Sequence, residues 1–204
     1  MADNRGRPRS FQPEQALEKA LDPFWRAGYL GASYADICAA TGLTKPSLYA
    51  AFGNKEALFL ATLELFVQRF VRPGIEILNN EPDPREAIHK LLVATAEALT
   101  REGTPPGCMI VTNGALSSAQ DVPVAIVDAL QVAAKMTPNA VADRLAAVPV
   151  EQFPPGTDAR ALTAYYDMVI TGLSGLAKRG APYQELIRAI DTAMLIWKSN
   201  PAAG

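Results

Sequence analysis

Two cysteines, a single histidine and the lack of any long apolar run set the first limits on this 204-residue chain. Cys38 and Cys108 lie far apart, and Met1-Ala2-Asp3-Asn4-Arg5 carries no apolar leader. A secreted, disulfide-stapled protein is therefore not expected; reduced thiols in a cytoplasmic protein are. His89 has no second nitrogen ligand and no cysteine cluster to join, so neither a metal site nor a cofactor is expected. No stretch reaches the roughly 18 apolar residues that a membrane-spanning helix needs. Internal repeats and low-complexity tracts are missing too, and no segment sustains a two-residue alternation of apolar and polar side chains. The expected fold class is all-α.

Apolar residues make up 49% of the chain, enough for a real core. The net charge of −2 excludes a generally basic nucleic-acid coat protein. Its distribution is more informative. Residues 1–60 hold seven Lys/Arg against six Asp/Glu, and the remainder twelve against fifteen. Arg5, Arg7 and Arg9 fall within the first ten residues, so any DNA footprint must be local and N-terminal. Arg5-Gly6-Arg7-Pro8-Arg9 has the form of an arm that lays arginines into a narrow minor groove; the blander reading is a basic tail attracted to phosphates. Both put the arginines on DNA.

Leu17, Ala20, Leu21, Phe24 and Trp25 recur at helical spacing, which predicts a helix from Pro13 to Ala27 with Gly28 just beyond its end. Ser33-x-x-Asp36 has the form of a capping box that opens a short helix stopped by Gly42. Thr44 is a good cap for the next helix, with Pro46 tolerated in its first turn, and Gly53 ends it. Asn54 can cap a longer helix over roughly 55–78. Further helices are predicted over Pro84–Arg101, Gly107–Ser118, Val122 to about Val148 with a kink at Pro138, Asp158–Arg179 and Pro182–Lys198. Residues 150–158 read as a loop.

The two short helices joined by Thr41-Gly42-Leu43 form a helix-turn-helix candidate. Ile37, Leu43, Leu48 and Phe52 would fix the angle between them. The second helix would enter the major groove, bringing Thr44, Lys45, Ser47 and Tyr49 to bases and phosphates. Ser33 and Tyr34, at the start of the other helix, can serve a phosphate in the same way.

The order Gly28-Tyr29, Asp36-Ile37, Gly42-Leu43-Thr44, then Leu48-Tyr49-x-x-Phe52-x-x-Lys55-Glu56-x-Leu58, resembles the DNA-binding domain of TetR/AcrR-type regulators. Ala32, Cys38 and Ala50-Ala51 depart mildly from the usual pattern. The last departure leaves Lys45, Ser47 and Tyr49 as the discriminating side chains. A weaker resemblance runs through Gly172-Leu173, Leu176-Ala177 and Gly180-Ala181 to Trp197. The resemblance implies a DNA-binding domain over 1–54, with Lys55 just beyond it as a further DNA contact. It also implies a larger ligand-binding and dimerisation domain over 55–204, and a homodimer formed by the last two long helices on a palindromic operator. The stripes Leu162, Val169, Gly172, Leu173, Leu176 and Leu186, Ile187, Ile190, Met194, Trp197 would form a four-helix interface. Phe66, Phe70, Met109, Tyr165, Tyr166 and Met168 are candidates to line a pocket for a largely apolar small molecule, although most such residues are plain core. Asn113, set among apolar neighbours, is either a ligand contact or a structural hydrogen-bonding group.

Cys38 reads as a small buried hydrophobe. Cys108 follows Pro105-Pro106-Gly107 and is expected in a first helical turn. There a dipole, with Lys178 as a possible partner, would favour thiolate; otherwise it lines the core or pocket. These residues bear on three functions. A ligand-responsive repressor fits best. A small helical lyase or hydrolase lacks a Ser/His/Asp set, a metal cluster or a phosphate loop, so no enzyme is expected. A thiol sensor would be a variant of the repressor in which Cys108 chemistry replaces a reversible ligand.

Overall fold

The computed structural model describes residues 12–114, 116 and 121–198, with only the backbone of Lys198. Helices α1 (Pro13–Gly31), α2 (Tyr34–Thr41), α3 (Lys45–Phe52) and α4 (Lys55–Phe66) come first. A π-turn over Val67–Val71 leads into α5 (Arg72–Asn80). Then come α6 (Pro84–Leu99), the single turn α7 (Met109–Thr112), α8 (Val124–Ala146), α9 (Ala159–Lys178) and α10 (Tyr183–Ala193). No strand occurs among the described residues.

Local chemistry sets the helix boundaries. Ser33 and Asp36 form a reciprocal capping box, Thr44 accepts from Ser47 N–H, and Asn54 accepts from Ala57 N–H. Gly42 takes the left-handed conformation, φ +72°, that closes α2. Gly28 breaks the helical geometry of α1 at φ +74°, ψ 176°, after which one more turn runs to Gly31.

Three predicted helices came out differently. The expected helix over 55–78 is two helices joined by a π-turn. Pro73 supplies no N–H to the carbonyl four residues back, and a widened turn is one way to carry such a gap. Conversely, α8 runs through Pro138 without a break. Of the expected helix over 107–118, Met109–Thr112 forms α7 and Leu116 hydrogen-bonds back to the Asn113 carbonyl; residues 115, 117 and 118 lie outside the described residues.

The apolar residues gather in two clusters. One joins α1, α2, α3 and α4 to α7 and the first half of α8, around Phe24, Trp25, Ile37, Phe59 and Met109. The other joins α5, α6, the end of α8, α9 and α10, around Leu78, Ile88, Leu92, Leu162, Tyr166 and Ile190. Between them lies a cavity of about 440 Å³.

Candidate nucleic-acid interface and effector cavity

The exposed end of the helix-turn-helix is built by three helix N-termini. α3 presents Thr44, Lys45 and Tyr49, with Tyr49 42% exposed, while Leu48 faces inward. Thr44 Oγ1 lies 3.0 Å from Ser47 Oγ. Tyr34, from the start of α2, donates its hydroxyl to Tyr49 at 2.8 Å, and the two rings stack with centroids 5.5 Å apart. The Lys45 ammonium sits over the Tyr34 ring, 4.3 Å from its centroid, and 5.8 Å from that of Tyr49. Burial and the Tyr49 hydroxyl push the Tyr34 phenol up to about 12, so it stays a neutral donor at neutral pH. Lys55, half-buried at the start of α4, lies 4.8 Å from the Tyr29 ring centroid, and burial lowers its pKa. Ser33 is exposed at the start of α2. The sequence-predicted Ser33, Tyr34, Thr44, Lys45, Ser47, Tyr49 and Lys55 thus share one end of the molecule; Arg5, Arg7 and Arg9 lie outside the described residues. The Tyr34–Tyr49–Lys45 stack was not anticipated as a unit. Its members were legible, but their mutual contact depends on the crossing of α2 and α3.

The cavity is lined by Trp25 of α1, Phe66 and Phe70 from α4 and the π-turn, Leu91, Thr95 and Leu99 of α6, Gly107, Cys108, Ile110 and Val111, and the faces of α8 and α9 that carry Thr137 and Ser174. At one end the aromatic rings meet. Trp25 makes edge contacts with Phe66 and Phe70 at 4.8 Å each, and Arg101 rests 5.5 Å from the Phe70 ring centroid. Arg69, Glu97, Arg101 and Asp167 add charge to the lining, with Arg69 ion-paired to Glu18. Apolar walls with a few polar groups suit a small, mostly apolar molecule.

Among the predicted pocket residues, Phe66, Phe70 and Cys108 line this cavity. The others lie elsewhere, for reasons of helix phase and hydrogen bonding. Met109 turns into the first core. Asn113 is 1% exposed and uses its amide within the protein, accepting from Tyr29 N–H at 2.8 Å and donating to Met109 O at 2.8 Å. Tyr166 packs in the second core, where Trp197 donates to its hydroxyl; Tyr165 donates to Ala193 O; Met168 is 63% exposed. The stripe of α9 that reaches the cavity is Asp167, Ile170, Thr171 and Ser174. Its helical spacing was readable, but its mixed polarity concealed it beside the aromatic pair. Trp25, in the apolar stripe of α1, carries no signal in the sequence that sets it apart from core.

The predicted dimer residues divide in a similar way. Leu162, Leu173, Leu186, Ile190 and Met194 are buried in their own chain's second core, while Val169, Leu176, Ile187 and Trp197 are half-buried against it. A single hydrophobic stripe cannot serve two partners at once. Gly172 is exposed, together with Ala161, Ala164 and Met168 on the outer side of α9.

Cys108 caps α7 rather than sitting inside its first turn. Burial raises its thiol pKa, against the opposing pull of the Val111 and Ile110 N–H groups. Lys178 donates its ammonium to Arg26 O at 3.0 Å. Of the two readings of Cys108, the pocket-lining thiol fits this environment and the thiolate-favouring one does not.

Among the described residues no helix is long and apolar enough to cross a membrane, and no group of His, Cys, Asp or Glu could hold a metal ion. A three-helix unit with an exposed, cation-bearing third helix, joined to a larger helical part with an apolar cavity, defines a helix-turn-helix regulator of DNA. A family model described as bacterial regulatory proteins, tetR family, matches residues 16–62. The chain is 31% identical over 196 residues to the HTH-type transcriptional repressor ComR of Escherichia coli K12, covering 95% of this chain and 92% of that protein. It is 30% identical to the repressor BdcR of the same strain, over 89% and 86% of the two chains. The solved TetR-family regulator CifR, a cysteine mutant complexed with 26-bp double-strand operator DNA, is 33% identical with a TM-score of 0.81, over 94% of this chain and all of that one. The chain belongs to the TetR family of transcriptional regulators, which are not enzymes.

Proposed function

We propose that this protein is a cytoplasmic, homodimeric, sequence-specific repressor that leaves its operator when a small, largely apolar molecule occupies the cavity. The observation that carries the DNA reading is the exposed Lys45–Tyr34–Tyr49 cluster at the N-terminal end of α3. A cation and hydroxyls at a helix start, flanked by Ser33 and Lys55, suit a phosphate backbone and adjacent base edges. Residues 1–54 carry the DNA role, with Arg5, Arg7 and Arg9 as an arm, and residues 55–204 carry effector binding and dimerisation. This is a division of roles: Leu58 and Phe59 of α4 share a core with Phe24 of α1. For the dimer, the side open to a second copy is the outer face of α9, with Ala161, Ala164, Met168 and Gly172. The cavity suits a ligand that fills an aromatic end formed by Trp25, Phe66 and Phe70 and meets polar groups along α9. Such a ligand must bind the DNA-free arrangement more tightly than the DNA-bound one, or it shifts nothing.

Selection of bound duplexes from a random DNA pool tests this. The expected product is a palindrome whose half-sites are spaced for two recognition helices, about 34–36 Å apart or a multiple of that. Failure to enrich any duplex at low salt would overturn the DNA reading.

A further inference from the structure

The strip from Gly107 to Asn113 has two sides with different partners. On one side Gly107, Cys108, Ile110 and Val111 form a wall of the cavity. On the other side the strip is tied to α1: Trp25 Nε1 donates to Gly107 O at 2.9 Å, and Tyr29 N donates to Asn113 Oδ1 at 2.8 Å. The second tie exists because Gly28 leaves helical geometry. In an uninterrupted α1 the Tyr29 N–H would serve the carbonyl four residues back. At φ +74° the chain turns, and the Asn113 carboxamide receives that N–H instead. A Cβ at position 28 would meet Asn113 Oδ1 at 3.1 Å, so glycine permits both the turn and the approach. The strip's near end is held to α9, where Cys108 N donates to Ser174 Oγ at 3.0 Å. A Cβ at Gly107 would lie 3.2 Å from Ser174 O. α9 returns to α1 through Lys178 Nζ on Arg26 O.

Resting on the repressor reading above, we propose that this strip is the element through which cavity occupancy sets the pose of the DNA-binding helices, with Asn113 as its latch and Gly28 as the latch's seat. The cavity wall and the latch are a few residues apart in one short segment. Pressure on Cys108, Ile110 or Val111 therefore reaches Asn113 directly. The alternative route along α4 has one foothold, Phe66 at the helix's last position, where the π-turn over Val67–Val71 begins, whereas the strip gives the cavity four residues. Once Asn113 lets go of Tyr29, the end of α1 and the α2 that follows are free to take another angle. Asn113 is buried and not part of the cavity lining, and so acts as a positioning residue.

The test needs no effector. Ala98→Phe, on the α6 wall of the cavity, stands in for occupancy. Amide hydrogen exchange at Tyr29 reads the latch, and anisotropy with the duplex selected by the wild type reads operator affinity. Ala98→Phe is expected to speed Tyr29 exchange at least tenfold and to weaken operator binding about fivefold or more. Asn113→Ala alone should do the same, and adding Ala98→Phe to it should weaken binding no further. Equal loss from Ala98→Phe in both backgrounds, or loss with Tyr29 exchange unchanged, overturns the proposal. If Asn113→Ala does not fold, Trp25→Phe, which keeps the ring and removes the Gly107 tie, takes its place in the cycle under the same two criteria. If no duplex is ever selected, the repressor reading falls by itself, while Tyr29 exchange in Ala98→Phe still decides whether the cavity reaches the latch.

Discussion

The two ends of the molecule are built by different means. The recognition end is closed by short-range devices: a capping box over Ser33–Asp36, a glycine turn at Gly42, caps at Thr44 and Asn54, and a Tyr34–Tyr49 stack spanning fifteen residues of sequence. The cavity end is assembled from segments remote in sequence, with the bond from Trp25 to Gly107 spanning 82 residues and that from Lys178 to Arg26 spanning 152. It also contains the π-turn over Val67–Val71, where the regular helical ladder widens. A locally closed surface keeps its shape whatever the rest does, which suits a fixed partner such as a DNA groove. A wall assembled from remote pieces has more ways to rearrange. The contrast assigns constancy to one end and adjustability to the other, with α1 belonging to both.

The sharpest way to break that contrast is at α1. Trp25 is 1% exposed, touches Phe66 and Phe70, and holds Gly107 O. Trp25→Ala should cost about 3–5 kcal/mol in a urea melt, the range for deleting a large buried aromatic. Because one apolar cluster runs from α1 through α8, the loss should appear as a single transition by fluorescence and by circular dichroism. Two separated transitions would mean that the ends are independent, and the contrast would then be one between domains.

The next effect concerns the fixed end alone. Lys45→Ala should weaken binding to the selected duplex about tenfold at moderate salt and flatten the salt dependence by about one unit, with the melting temperature nearly unchanged. Tyr49→Phe keeps the ring stack and removes the hydroxyl that accepts from Tyr34. It should lower affinity less than Lys45→Ala. Unaltered affinity in both variants would move the interface away from α3.

This difference in construction also decides what could be read in advance. Ser33, Asp36, Gly42, Thr44 and Asn54 act on neighbours three or four residues away, so their spacing alone announced their roles. The residues that close the cavity gave no such signal. Trp25 sits in an ordinary apolar helical stripe, and only its contact with Phe66, Phe70 and Gly107 brings it to the wall. Tyr165 and Tyr166 looked suited to a pocket by chemistry, yet helix phase gave that place to Ile170, Thr171 and Ser174. In the stripes of α9 and α10, Leu162, Leu173, Leu186, Ile190 and Met194 are spent on their own chain's core, while Val169, Gly172, Leu176, Ile187 and Trp197 keep surface for a second copy, because a helical period shows that a face is buried and not by what. Asn113 left two readings open, and its partner 84 residues away settles on the structural one.

A smaller effect compares caps at the two ends. Asn54→Ala removes the acceptor for Ala57 N–H at the start of α4, and Asp158→Ala removes that for Ala161 N–H at the start of α9. Each should cost about 1 kcal/mol in stability. Only Asn54→Ala should also weaken operator binding, since Lys55 follows it directly. Equal losses of DNA affinity would show that stability, and not position, carries the effect.

The smallest effect lies at Cys108. A thiol whose folded-state pKa is raised favours the protonated form, so its contribution to stability is fully present below the ordinary thiol range. That contribution declines as pH climbs through the unfolded-state value toward the folded one. An unfolded thiol is half ionised near pH ~8.5, where the loss relative to pH 7 is about 0.4 kcal/mol. Subtracting the urea-melt stability of Cys108→Ser from that of the wild type at each pH isolates this term. The difference should shrink between pH 7 and 8.5 by that amount. Native-state alkylation should agree with it, with Cys108 reacting slowly at pH 8 and accelerating only above the pH at which an unfolded thiol does. A difference that grows with pH, or a thiol that is alkylated rapidly at pH 7, would mean that this wall of the cavity opens to solvent and stabilises charge. The Gly107–Asn113 strip would then belong with the chemically reactive parts of the molecule instead of its packed ones.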